Sequence, residues 1–259
     1  MNRPTITEAA EAPLIRGLAY EDAARVFWID NTVPIRELLE RTGTKRPETA
    51  NALAESFSAA CLLSGTLKDG QRLTFNIDSP PLGLRIRVDA EASGSVRAYV
   101  EERSAFGAYG TVRGVRSSAS GQFTGIADLP DRSVARGIEH YFRQSEQNEI
   151  CLRTRIAMDE GRCESSEAVF VQLLPNAPEG LLRRIAASLE RPGALRDLEP
   201  VRRMRKLDEL PVRWQCYCSR EMLAGMADRL KRSDGTDGSG ANGKAREAVC
   251  RICGRHYDL

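Results

Sequence analysis

From Arg72 onward apolar residues recur at every second position. Leu73, Phe75 and Ile77 form one such run, Leu84, Ile86 and Val88 a second, and Val96, Ala98 and Val100 a third. A period of two places these side chains on one face of a strand. Turn signals at Asp78-Ser79-Pro80-Pro81 and Ala92-Ser93-Gly94 separate the runs, which predicts an antiparallel meander with one buried face. Thr111-Val112-Arg113 and Gln122 to Ile126 add two strands across a Ser/Gly turn. Arg25 to Ile29, Leu152 to Ala157 and Ala168 to Leu174 are rich in β-branched and aromatic residues and read as three more. Helical spacing appears in three places. Thr32 offers an N-cap to a short helix carrying Ile35, Leu38 and Leu39 and closed at Gly43. A second helix runs from Pro47 to about Leu67; its small residues on several faces predict burial on most sides. A third spans Ser133 to about Ser145, with Val134, Ile138, Tyr141 and Phe142 on one face. The fold class is α+β, an N-terminal domain of two or more antiparallel sheets with packed helices.

The pattern fades at both ends. Residues 1–20 lack periodicity and contain Pro4 and Pro13, which predicts a flexible arm before a core domain over 21–176. Beyond Pro178, Leu181, Leu182, Ile185 and Leu189 line a helix that stops at Arg191-Pro192-Gly193. The charged segment "ALRDLEPVRRMRKLDELPVR" follows, so 177–213 reads as a helical linker. Residues 214–259 form a small C-terminal module.

A length of 259 residues suits one sizeable domain plus that module. The net charge of +2 gives no global attraction to a polyanion, and a hydrophobic share of 41% excludes wholesale disorder. No window approaches the roughly 18 apolar residues of a membrane span. The N-terminal "MNRPTITEAAEAPLIRGL" lacks the apolar core of a secretory signal, so a soluble, cytoplasmic protein is expected.

The cysteines change the picture. Four of the seven fall in the last 46 residues, as Cys216-x-Cys218 and Cys250-x-x-Cys253-Gly254. Two short thiol pairs brought together by an intervening segment are what a tetrahedral four-sulfur zinc site requires. The module has few large apolar residues and a Gly/Ser/Asp-rich middle, so burial alone cannot offset its chain entropy. Zinc or, in an oxidising compartment, disulfides must hold it, and a cytosolic home favours the metal. Cys61, Cys151 and Cys163 have no ligand-like spacing and read as buried small hydrophobes. His256 is a weaker fifth candidate ligand, and His140 reads as a surface or satisfied helix residue. Ser145, Glu146 and Gln147 have no partner histidine in a nucleophile motif, no Gly-rich phosphate loop follows a strand, and four thiolates leave zinc no open position. No enzyme is expected.

The sequence resembles the heat shock protein 33 family, also called 33 kDa chaperonins, which are redox-regulated holdase chaperones. The resemblance is carried by "CYCSRE" at Cys216 to Glu221 and "CRICGRHY" at Cys250 to Tyr257. "FTGIADL" before Ser133, "IEHYFRQSEQ" at Ile138 to Gln147 and "VQLLP" at Val171 to Pro175 follow the family order. Gly94, Val96, Arg97 and Tyr99 match a further strand motif, in which Ala98 replaces a glycine. Ser165-Ser166-Glu167 replaces a glycine-rich stretch, the linker is shorter than usual, and "KRSDGTDGSGANGKAREA" is a flexible spacer, marking a divergent member. The resemblance implies zinc on Cys216, Cys218, Cys250 and Cys253, disulfides Cys216 with Cys218 and Cys250 with Cys253 after oxidation, and release of the metal. It also implies ATP-independent capture of unfolding client proteins once the linker disorders, with homodimerisation of the oxidised form left open. A rival from another class is a zinc ribbon that binds nucleic acid through Arg202, Arg203, Arg205 and Lys206. The near-neutral total charge and the carboxylates in the same segment stand against it.

Overall fold

In a computed structural model the described residues are 11–105, 109–130, 133–233 and 247–259, with the side chains of 227–233 left aside. In chain order the elements are β1 (Glu11–Ala19), β2 (Ala24–Asp30), α1 (Thr32–Thr42), α2 (Pro47–Ser64), β3 (Arg72–Ser79), β4 (Leu84–Glu91), β5 (Ser95–Glu102), β6 (Gly110–Ser118) and β7 (Gly121–Leu129). There follow α3 (Val134–Ser145), β8 (Ile150–Asp159), β9 (Arg162–Leu173), α4 (Leu181–Leu189), α5 (Glu199–Arg202), β10 (Arg205–Trp214), α6 (Arg220–Ser233), β11 (Glu247–Val249) and β12 (His256–Asp258). The class is α+β, but instead of several core sheets there is one of ten strands, ordered β7-β6-β3-β4-β5-β10-β1-β2-β9-β8, beside the small β11-β12 hairpin. All its pairings are antiparallel except that of β10 with β5.

The alternating runs found in the sequence face inward together. Leu73, Phe75, Ile77, Leu84, Ile86, Val88, Val96 and Ala98 are all at most 2% exposed and share one core with α1, α2 and α3. Helix α2 is buried on nearly every side, as its Ala/Leu/Ser composition predicts. A second apolar cluster lies between β2, β8, β9 and α4, built on Val26, Cys151, Val169, Val171, Leu181, Ile185 and Leu189. Two of the three residues that stand in place of a glycine-rich stretch, Ser166 and Glu167, have work here. Ser166 Oγ donates to Asn31 Oδ1 at 2.8 Å, its backbone N–H donates to Thr32 Oγ1, and the Glu167 carboxylate accepts from the Leu195 N–H.

Two segments differ from expectation, and they pair with each other. The arm becomes strand β1 from Glu11 on, while its first ten residues lie outside the described part. The linker carries its helix α4 as expected, but its last residues form β10, which lies inside the sheet. Their register runs from Glu11↔Arg213 to Leu18↔Arg205 and sets Pro13 opposite Pro211. A proline lacks the N–H a ladder needs. Here the neighbouring strands have not yet joined: β2 pairs with β1 only from Ile15, and β5 pairs with β10 only at Arg213 and Trp214. Among the described residues no helix is long and apolar enough to cross a membrane.

Candidate metal centre

Strand β10 ends at Trp214, and two residues later the chain reaches Cys216. The segment to Cys218 has no regular secondary structure and gives way to α6, where Ser219 Oγ accepts from the Met222 N–H at 3.2 Å. Cys250 to Cys253 form a tight turn between β11 and β12. The Gly254 N–H donates to the Cys250 carbonyl at 2.8 Å, the Cys250 N–H to the Arg255 carbonyl at 2.9 Å, and Gly254 takes φ +65°. A left-handed residue at that corner is what glycine tolerates without strain.

The two cysteine pairs meet sulfur to sulfur. Cys216 and Cys250 Sγ are 3.7 Å apart, Cys218 and Cys253 Sγ 3.3 Å, and all four sulfurs lie within 4.8 Å of one another. Zinc–sulfur bonds of about 2.3 Å in a tetrahedron set the sulfurs about 3.8 Å apart, so the cluster is the right size for one ion. All four are free thiols; Cys250 and Cys253 are buried and the other two half-buried. A hydrogen bond from Cys216 holds Cys253 well below the usual thiol range, at about 5, and the same bond, with burial, pushes Cys216 up. Desolvation likewise raises Cys218, against the Tyr257 hydroxyl 3.1 Å from its sulfur.

The remaining cysteines are elsewhere and buried. Burial pushes Cys61 up, Cys151 up to about 12 and Cys163 up to about 11. A thiol so raised is neither a nucleophile nor a ready ligand at neutral pH. His256 is not in the cluster; its Nδ1 faces the Glu247 carboxylate at the surface. His140 lies half-buried on α3. Ser145 and Glu146 close that helix, with Glu146 3.5 Å from Arg116.

The cluster is fastened to the large sheet by side chains that motif reasoning passed over. Tyr217, between the first two cysteines, sets its ring beneath the Arg97 guanidinium and donates its hydroxyl to Glu91 at 3.2 Å. Arg97 in turn is bonded to the buried Asp89 at 2.9 Å. Trp214 is 4% exposed under Arg41, and Arg251 approaches Glu101 at 3.8 Å. Cys250 and Cys253 belong to the same apolar core as α1 and α2. The available signal was position: Tyr217 and Trp214 are large aromatics beside a ligand-like pair in a module with few apolar residues.

Fold and site together define a class: α+β proteins whose main sheet runs directly into a compact, metal-competent four-thiol module. A family model described as "Hsp33 protein" matches residues 13–259. The 33 kDa chaperonin of Thermus thermophilus is 30% identical over 94% of this chain and 83% of its own length. That of Synechococcus sp. strain JA-3-3Ab is 29% identical over 95% and 86%. The crystal structure of the 33 kDa chaperonin of Thermotoga maritima superposes with a TM-score of 0.78 at 17% identity, over 95% of this chain and 93% of that one, a likeness of fold. The chain belongs to the Hsp33 family.

Proposed function

We propose that the protein is an ATP-independent holdase chaperone of the cytoplasm, switched on when Cys216, Cys218, Cys250 and Cys253 are oxidised. The observation that carries this is the packing of four free thiols within 4.8 Å on a segment continuous with β10. The donor set, four soft sulfurs at tetrahedral spacing, fits zinc. Bound there, zinc would supply the ordering energy the module lacks, about 10–16 kcal/mol in small zinc peptides.

The chain's own part is to present thiolates an oxidant can reach. Each pair of thiolates gives up two electrons and forms one S–S bond; with two protons from solvent, one hydrogen peroxide becomes two waters. Two peroxides convert all four sulfurs. The family resemblance assigns the bonds Cys216 with Cys218 and Cys250 with Cys253. In the reduced cluster the contacts of Cys216 with Cys250 at 3.7 Å and of Cys218 with Cys253 at 3.3 Å lie across those pairs, so peptide mapping of the oxidised protein decides the pairing. Disulfide sulfurs are poor ligands, so oxidation removes what orders the module, and the grip of Tyr217, Trp214 and Arg251 on the sheet goes with it. Strand β10 then loses its anchor on the module side, since only Leu210 and Val212 remain as its inward-facing apolar residues, while Leu181, Ile185 and Leu189 still hold α4 on the second core. The partners are unfolding polypeptides, with a second copy of the chain as a further partner in the oxidised state. We assign no catalytic role to any described residue.

Nucleic acid fits poorly. Of its four cations, Arg203 is paired with Glu199, Arg205 with Asp22 and Lys206 with Glu209. The test is light scattering by a heat-unfolding client with reduced, zinc-loaded protein and with peroxide-treated protein. Suppression only after oxidation is expected; suppression equal in both states, or in neither, refutes the switch.

A further inference from the structure

Strand β10 is the seam of the ten-stranded sheet. On one side eight register pairs join it to β1; on the other only Arg213↔Ser95 and Trp214↔Val96 join it to β5. Without β10, β1 is an open edge, with the main-chain groups of Glu11 to Leu18 that faced it left unpaired. Such an edge is a template for another strand. The vacated groove has a defined shape. Val212 and Trp214 are 0% and 4% exposed and Leu210 is half-buried, so three apolar sites at alternate positions open beside the buried Ala12 and Leu14. At Gly17 the approach is backbone to backbone: a Cβ there would meet the Arg205 carbonyl and Met204. The flank carries charge as well. β10 neutralises Glu11 through Arg213, Asp22 through Arg205 and Arg16 through Asp208, so its departure frees two carboxylates and one guanidinium.

We propose that the oxidised protein captures extended polypeptide segments by strand addition to β1, with apolar client residues at alternate positions occupying the sites of Leu210, Val212 and Trp214. The inference rests on the proposed switch and names what it exposes. Main-chain pairing recognises any extended segment, and the alternate pockets add a preference for aliphatic and aromatic side chains. Basic residues at the flanking positions are favoured by Glu11 and Asp22. A folded protein offers such a segment only at its sheet edges, which native proteins keep short, charged or covered. This supplies selectivity for unfolded chains without sequence specificity.

The experiment uses the full chain and, as probe, reduced carboxymethylated α-lactalbumin, which stays unfolded without denaturant. Amide exchange of residues 11–18 is followed by mass spectrometry, with client light scattering measured in parallel. Oxidation is expected to speed exchange across this segment, and the probe to slow it again at least tenfold. A decapeptide matching residues 205–214 is expected to compete, and its version N-methylated on alternate amides to compete at least tenfold less well. Suppressed scattering with β1 still unprotected overturns the inference and leaves the switch standing. Protection returning without probe, as protein concentration rises, assigns the edge to a second copy's β10 and overturns it. No suppression together with no probe binding overturns both.

Discussion

Replacing Trp214 by alanine separates the strand from the sulfur cluster. The side chain is 4% exposed and fills the core where β10 meets β5, and truncating a buried tryptophan costs about 3–5 kcal/mol. The Arg41 guanidinium 5.8 Å from its ring adds up to about 1 kcal/mol. No hydrogen bond to a described residue is lost, because the buried Nε1 has no partner among them. Since Trp214 supplies one of only two register pairs with β5, the loss falls on local opening of β10. At about 1.4 kcal/mol per factor of ten, opening becomes favoured by about two to four orders of magnitude. Amide exchange of Val212 to Gln215 in the reduced protein reads this directly. Metal content should stay that of the parent, because no sulfur is touched, and reduced Trp214→Ala should already suppress client aggregation. Exchange altered by less than threefold would refute the claim that this side chain holds the strand in place.

Gly94→Ala tests the same seam from the facing turn: Gly94 has φ +82° and a Cβ would run into the Pro211 carbonyl, so a loss of about 1–3 kcal/mol is expected in urea unfolding. Tyr217→Phe keeps the ring under Arg97 but drops the hydrogen bond to Glu91; about 1 kcal/mol of docking should go, seen as faster zinc loss to a chelator. Burial opposes ionisation of Asp89, but hydrogen bonds from Thr74 and Arg97 and the charges of Arg87 and Arg97 outweigh it and hold the carboxyl below its ordinary value. A depressed folded pKa gives stability that is present above the unfolded value of about 3.9 and lost as pH falls through the folded one. Asp89→Asn should therefore be less stable than the parent at pH 7, with the gap in urea midpoint closing below about pH 4. Cys250→Ser should abolish tight zinc binding and bring protease cuts into 214–259 while α2 and β3 to β5 stay protected.

The sequence made the meander and helices α1 and α3 legible because each carries its own period, and α2 and the β8-β9 pair legible through their composition. Leu73-Phe75-Ile77 and Val134-Ile138-Tyr141 declare a buried face whatever lies opposite. Strands β1 and β10 declare almost nothing. Their partners are about 190 residues apart in sequence, β10 buries only Val212 and Trp214, and each contains a proline whose missing N–H is harmless only in the observed register. That is tertiary context overriding local propensity. The four-cysteine cluster was legible because ligand spacing is set by the ion's geometry, which a short turn must satisfy. Its attachment through Tyr217 and Trp214 was not, since nothing local says that Glu91, Arg97 and Arg41 lie across from them.

The central claim is that the four sulfurs share one metal ion and that their oxidation releases it. The direct measurement is zinc content per chain of the reduced protein, followed with a metal indicator while peroxide is added and remaining thiols are counted. The account predicts one zinc per chain, lost in step with four thiols while Cys61, Cys151 and Cys163 stay reduced. Reduced protein without zinc, or zinc retained after those four thiols are gone, would contradict it.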